Sequence, residues 1–210
     1  MPFLDSNFLM DEKSSFSRLL ITSADDSDVV TISFELAKLL NKNGNAVLWI
    51  DGNLGERNAL NTFDNSDLRE ILSGQLPPTQ AIQQIENIFV LTGKSESFLA
   101  EQSDIKQCQF LQGLRNLYPN YDKVILSVDG KNPALQQKWM NEAENIYLLF
   151  NTKNLLLSRT LAWLKENPLK AKGLIGIGKN DQEVLLSYMR LKEILGDIPE
   201  LILDIKKIAP

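Results

Sequence analysis

Apolar positions along the chain fall into two kinds of run. Short stretches that are apolar on both faces, Arg18-Leu-Leu-Ile-Thr-Ser23 and Ala46-Val-Leu-Trp-Ile-Asp51, read as strands buried inside a parallel sheet. Between them, Val29, Ile32, Leu36, Leu39 and Leu40 recur at helical spacing, and the pattern stops at Gly44, where a residue just past a helix C-terminus is expected. The alternation repeats. It predicts further strands at Asn87–Thr92, Lys123–Val128, Asn145–Phe150, Lys172–Ile177 and Leu201–Ile205. It predicts further helices at Asp67–Ser73, Thr79–Gln84, Ser103–Leu117, Pro133–Glu142, Asn154–Glu166 and Gln182–Leu195. Strands alternating with helices imply a single-domain α/β fold, a mostly parallel sheet with helices on both faces. Residues 1–17 stand outside this plan as an N-terminal arm before a domain of residues 18–210. The arm's scattered Phe3, Leu4, Phe8, Leu9 and Phe16 suit packing against the domain, with a docking peptide as the alternative.

Composition narrows the chemistry. A chain of 210 residues, 43% hydrophobic and 23% charged, fits one globular domain with a sizeable core. No apolar run approaches the ~20 residues that span a bilayer, and the first residues are acidic where a secretory signal would be basic, so a cytoplasmic location is expected. A single cysteine, Cys108, excludes an internal disulfide and any cysteine-rich zinc site; with no partner at hand it reads as a packed thiol. Histidine is absent, which removes Ser-His-Asp and Cys-His catalysis, facial-triad iron and most catalytic zinc. The net charge of −5 is uneven: residues 1–105 carry 7 basic and 16 acidic side chains (−9), and residues 106–210 carry 15 and 11 (+4). That balance, without a dense basic run, argues against nucleic acid as a partner.

In such a sheet, ligands bind beyond the carboxyl ends of the strands, and the loop from the first strand into the first helix is the usual phosphate cradle. A cradle needs glycines, whose backbone N–H groups face the phosphates, and a lysine to meet their charge. The loop here, Ser23-Ala-Asp-Asp-Ser-Asp-Val-Val-Thr31, has neither, and it holds Asp25, Asp26 and Asp28. Two like charges ~5 Å apart at an effective dielectric of ~20 repel by roughly 3 kcal/mol. A helix N-terminus offers an anion only roughly 0.3–2 kcal/mol. The same aspartates suit helix capping, with a cation or partner contact as the alternative. At the end of the second strand, Asp51-Gly-Asn-Leu-Gly-Glu-Arg-Asn58 could place an acid on a magnesium-bound water, or simply form a turn. Trp49, Trp139 and Trp163 read as core, and Gly173, Gly176 and Gly178 as close packing or a strand-end turn.

These residues resemble the MinD/ParA family of deviant Walker ATPases. Its members open with a strand, a Lys-Gly-Gly-x-Gly-Lys-Thr-Thr loop, a helix, and a strand ending Asp-x-Asp-x-Gly-x-Arg-Asn. Ile21-Thr-Ser23, Phe34-Glu-Leu-Ala-Lys-Leu-Leu40, Val47-Leu-Trp-Ile-Asp51 and Gly55-Glu-Arg-Asn58 follow that order. So do Leu68-Arg-Glu-Ile-Leu-Ser-Gly74, Asn87-Ile-Phe-Val-Leu91 and Tyr121-Asp-Lys-Val-Ile-Leu126. The resemblance implies a P-loop NTPase-like fold of the MinD/ParA type.

Against the family pattern, the signature lysine falls on Asp25 and the phosphate lysine on Val30; only Thr31 survives, at the magnesium-ligand position. Asp26, Ser27 and Asp28 stand in the rest of the loop. Asp51 is kept, the second aspartate is Asn53, and the Walker B aspartate is Ser127, with Asp129 two residues on. The late asparagine that helps read adenine has only a loose counterpart in Gly178-Lys-Asn180, and the family's C-terminal membrane helix has none before Pro210. The resemblance therefore implies a chain with no nucleotide cofactor, no metal, no ATP hydrolysis and no direct membrane anchor. Its expected work is as a localisation or assembly scaffold for a bacterial pilus, flagellum, cellulose synthase or division or partition system; the alternative is an altered switch that keeps weak nucleotide binding. Expected partners are proteins: an active relative, a machinery component, or a second copy. Asp25, Asp26, Asp28, Glu56 and Arg57 are the expected contact residues, and recruitment to the pole or inner membrane would come through the partner.

Overall fold

The computed structural model describes residues 17–25, 28–53, 78–92, 104–131, 133–168 and 170–202. The expected arm (up to residue 16), the helix at residues 67–73, and Asp26, Ser27, Glu56 and Arg57 lie outside them. Ser17, placed in the arm by the sequence, opens the first strand.

The elements are β1 (Ser17–Ser23), α1 (Val29–Lys42), β2 (Val47–Asp51), α2 (Pro78–Ala81), β3 (Gln83–Ile85), β4 (Ile88–Leu91), α3 (Asp104–Leu117), β5 (Lys123–Val128), α4 (Pro133–Glu142), β6 (Asn145–Asn151), α5 (Asn154–Glu166), β7 (Gly173–Ile177), α6 (Asp181–Leu195) and β8 (Glu200–Ile202). They build one eight-stranded sheet in the order β3-β4-β2-β5-β1-β6-β7-β8. Every pairing is parallel except β3 with β4. β1 lies at the centre, with Ile21 level with Ser127 of β5 and Tyr147 of β6.

The strands that read as apolar on both faces are buried on both. Leu20, Leu48, Ile50, Leu126, Leu148 and Phe150 face one core with Leu114 of α3, Trp139 and Met140 of α4, Trp163 of α5, and Val184 and Leu191 of α6. Leu19, Ile21, Trp49, Ile125 and Leu149 face the other with Phe34, Ala37 and Leu40 of α1. Trp49 is fully buried; its ring meets Phe34 edge-on at 5.3 Å and its indole N–H donates to Ser33 Oγ at 2.9 Å, so this side chain leaves no polar atom unpaired. Trp139 and Trp163 are core as expected. Gly176 is glycine because a Cβ there would run into Val184 and Phe150, which lets α6 sit close on β7. Among the described residues no helix is long and apolar enough to cross a membrane.

One expectation is corrected. The helix predicted over Thr79–Gln84 stops at Ala81, and Gln83–Ile85 form an antiparallel edge strand, Gln83 opposite Val90 and Ile85 opposite Ile88. Glu86 and Asn87 make the two-residue turn with φ of 48° and 67°, the left-handed geometry that matches the twist of a hairpin. One helical turn stabilises little by itself, whereas pairing with β4 satisfies the backbone groups of Gln83–Ile85 that face it.

Candidate functional site

The carboxyl ends of β1, β2 and β5 meet at one edge of the sheet. Asp28 starts α1: its carboxylate accepts the Thr31 backbone N–H at 3.0 Å, the capping role expected of this loop. Val29 at the first helical position is buried, Val30 half-buried and Thr31 exposed.

Asp25 behaves differently from its neighbour. The sequence offers it as a surface contact, but its residue exposure is only 3%, so its side chain is not presented at the surface. The cause is the loop after β5. The Asp25 carbonyl accepts the Ser23 hydroxyl at 2.7 Å and the Gly130 N–H at 3.0 Å, which folds the β1–α1 loop down onto the β5–α4 loop. A Cβ on Gly130 would sit 2.7 Å from both Ser23 O and Ala24 C, so only glycine allows this approach.

Asp51, at the end of β2, pairs in register with Ser127 and is 3% exposed. Its Oδ1 accepts the Asn53 N–H at 3.0 Å. Asn53 Oδ1 in turn accepts the Asp129 N–H at 2.7 Å, and Asp129 Oδ1 accepts the Lys131 N–H at 2.9 Å. Four residues on two loops thus form one hydrogen-bonded chain. Burial pushes the Asp51 carboxyl up to about 7 and the nearby Asp129 adds to the rise, while the Asn53 N–H works against both. Ser127, at the position expected for the Walker B aspartate, is wholly buried, and its hydroxyl has no hydrogen-bond partner among the described residues. Asp129 lies past the strand end, with one carboxylate oxygen holding its own loop.

A third group was not foreseen. Gln136, 5% exposed on α4, donates through Nε2 to Thr22 Oγ1 at 2.7 Å and to the Ser23 carbonyl at 2.8 Å. Its Oε1 accepts the Trp163 indole N–H of α5 at 3.1 Å. One amide therefore ties α4 and α5 to the end of β1. The signal was present: Gln136 falls on the same stripe as Trp139, Met140 and Ala143, a polar residue on an apolar face. Beside it, a cavity of about 490 Å³ opens between α4 and α5, with Ala24 and Gly130 among its walls.

At the far side of the sheet, Asn180 caps α6 by accepting the Glu183 N–H at 2.9 Å. The Glu183 carboxylate accepts the Thr152 hydroxyl at 2.6 Å and the Lys179 N–H at 3.2 Å. The loop compared with an adenine-reading asparagine is thus occupied with its own capping.

No protein-family profile and no curated protein matches the sequence. Solved structures do. In the MinC:MinD cell division protein complex of Aquifex aeolicus, the matching chain is 19% identical, with a TM-score of 0.68 over 88% of this chain and 79% of that one. Apo McdA of Cyanthece is 16% identical at a TM-score of 0.69, covering 91% and 88%. The septum site-determining protein MinD of Pyrococcus horikoshii, complexed with Mg-ADP, is 19% identical at 0.65, covering 92% and 86%. The chain has the MinD-like P-loop NTPase fold that the sequence implied.

Proposed function

We propose that this chain is a MinD/ParA-like protein that no longer hydrolyses ATP and works by protein contact, positioning or holding a larger assembly. The observation that carries the reading is the closure of the β1–α1 loop on Gly130. A phosphate cradle leaves backbone N–H groups open to the ligand; here the loop carbonyl at Asp25 is bound to Ser23 and Gly130, and the Asp25 side chain is buried where the family has its signature lysine. Val30 stands at the position of the phosphate lysine and carries no charge.

The residues present do not fit a magnesium-bound triphosphate. Asp51 is retained, but it is buried, its carboxyl is pushed up to about 7 by that burial, and it is engaged by Asn53. At the Walker B position stands a serine, which supplies no charge to a metal. Phosphoryl transfer depends almost wholly on positioned positive charge and a metal, so losing these groups together removes the basis of catalysis.

Protein partners are the remaining currency of such a fold, and one of the similar structures is itself a complex, of MinC with MinD. The acidic first half favours a partner with basic surface over nucleic acid. The test is calorimetric titration of ATP, ADP and GTP with magnesium into the full chain, with light scattering on the same samples. No heat up to millimolar nucleotide and an unchanged mass are expected. Micromolar binding, or a mass that changes with nucleotide, overturns the reading in favour of an altered switch.

A further inference from the structure

α6 covers β7 close to the β8 end of the sheet, and it is apolar on two sides. Val184 and Leu191 join the core. Leu186, Met189 and Ile194 face outward at 54%, 54% and 58% exposure, three of the four large apolar side chains left exposed among the described residues. A lone exposed leucine is ordinary; three on one helix make a patch that is better covered than wet. The patch has an order. Gln182, Leu186, Met189 and Glu193, all exposed, follow one another at spacings of four, three and four residues, the seam along which two helices pack. Charge is ordered along the same helix: Asp181 and Glu183 stand in its first turn, Arg190 and Lys192 near its end beside one acid, Glu193. That order suits the helix's own dipole, and it also makes the face complementary to itself when reversed. The Arg190 and Glu193 side chains make no hydrogen bond or ion pair among the described residues.

We infer that α6 packs antiparallel on α6 of a second copy of this chain, about a two-fold axis level with residues 187–188. In that arrangement Leu186 lies level with the partner's Met189, and Gln182 with the partner's Glu193, each pair formed twice. Arg190 and Lys192 at the end of one helix come beside the partner's Asp181 and the partner's Glu183 at the start of the other. A parallel arrangement sets acid on acid and base on base, so the charges choose the direction. A second copy is the occupant because a two-fold interface requires one patch that complements itself, and this face does so in both its apolar seam and its charge. A single pair of helices lies at the small end of specific interfaces, so the dimer is weak, with half association on the order of 100 µM. The inference goes beyond the proposed function and does not depend on whether nucleotide binds, since α6 lies on β7, two strands from β1.

Sedimentation of the full chain from about 5 µM to about 500 µM brackets that range, and the mass should rise from one chain towards two. Leu186→Asp with Met189→Asp puts carboxylates into the seam and should weaken association more than ~tenfold. Arg190→Glu with Lys192→Glu keeps the apolar seam but sets acid against acid, and should weaken it roughly threefold or more. All four positions are exposed, so melting curves should show both variants folded. Leu155→Asp removes the remaining exposed apolar side chain, on α5, and should leave the mass as it is in the parent. Disulfide trapping reads the direction. In a Cys108→Ser background, a mixture of Leu186→Cys chains and Met189→Cys chains oxidised with copper phenanthroline should cross-link more than either chain alone. A mass of one chain at about 500 µM overturns the inference. So does a dimer that both α6 variants leave intact or that Leu155→Asp dissolves, and so does cross-linking stronger within one variant than in the mixture.

Discussion

Asn53 Oδ1 accepts the Asp129 backbone N–H at 2.7 Å and so joins the end of β2 to the end of β5. In the family pattern this residue is an aspartate. As an amide it adds an uncharged acceptor between Asp51 and Asp129, where a carboxylate would add a third negative charge. Asn53→Asp is therefore expected to destabilise the protein more at pH 8 than at pH 5. Asn53→Ala should cost about 0.5–1.5 kcal/mol, the usual net worth of one such bond, at both pH values. Urea unfolding at the two pH values decides it. Equal losses for Asn53→Asp would mean that the carboxylates do not sense one another.

Asp51 makes stability depend on pH in a stated direction. Its folded pKa, about 7, lies above the ordinary carboxyl value of 3.8, so the native state holds the extra proton between those values. Its contribution is fully present below about pH 4 and is lost as pH rises to 7. Asp51→Asn is neutral throughout and keeps an oxygen for the Asn53 N–H. It should raise stability at pH 8 by roughly 1–3 kcal/mol, or some 2–12 °C in Tm, and by little at pH 4. A gain that is the same at both pH values would remove burial of the charge as its cause.

Gln136 has all its polar atoms engaged, and removing it strands three partners: Thr22 Oγ1, the Ser23 carbonyl and the Trp163 indole N–H. Gln136→Leu should cost about 2–4 kcal/mol, because buried polar groups lose their partners while the volume is kept. Gln136→Glu at neutral pH should cost at least as much, since a carboxylate cannot donate to the carbonyl. Denaturant unfolding followed by tryptophan emission measures both. A loss under about 0.5 kcal/mol for Gln136→Leu would show that water replaces the amide without penalty.

Much of this was legible in the sequence, for reasons that differ by residue. Strands β1, β2 and β5 are buried on both faces, so their unbroken apolar runs could only be central parallel strands. Asp28 was legible as a cap because capping is local, made with a residue three positions away. Asp25 was not, because its burial is imposed by Gly130, more than a hundred residues later, and no local pattern carries that contact. The β3–β4 hairpin was hidden for another reason: its turn is Glu86-Asn87, without the glycine that usually marks such a turn. Gln136 reads as an ordinary polar helix residue until the stripe it shares with Trp139 and Met140 is turned towards β1.

Gly130 tests the closed loop itself. Any Cβ there would meet the Ser23 carbonyl oxygen and the Ala24 carbonyl carbon at 2.7 Å, and both are backbone atoms that cannot rotate aside. Gly130→Ala must therefore push the β1–α1 loop off the β5–α4 loop and break the Gly130 N–H to Asp25 bond, exposing Asp25 to water. The cost expected from such overpacking is about 1–3 kcal/mol, with faster amide hydrogen exchange at Gly130 and at the start of α1. Asp28→Ala provides the contrast. It removes only the cap and should cost about 0.5–2 kcal/mol while leaving exchange at Gly130 unchanged. If Gly130→Ala is neutral and exchange is unaltered, the loop yields freely, and its closure is no barrier to a phosphate. That result would weigh directly against a chain that works without nucleotide.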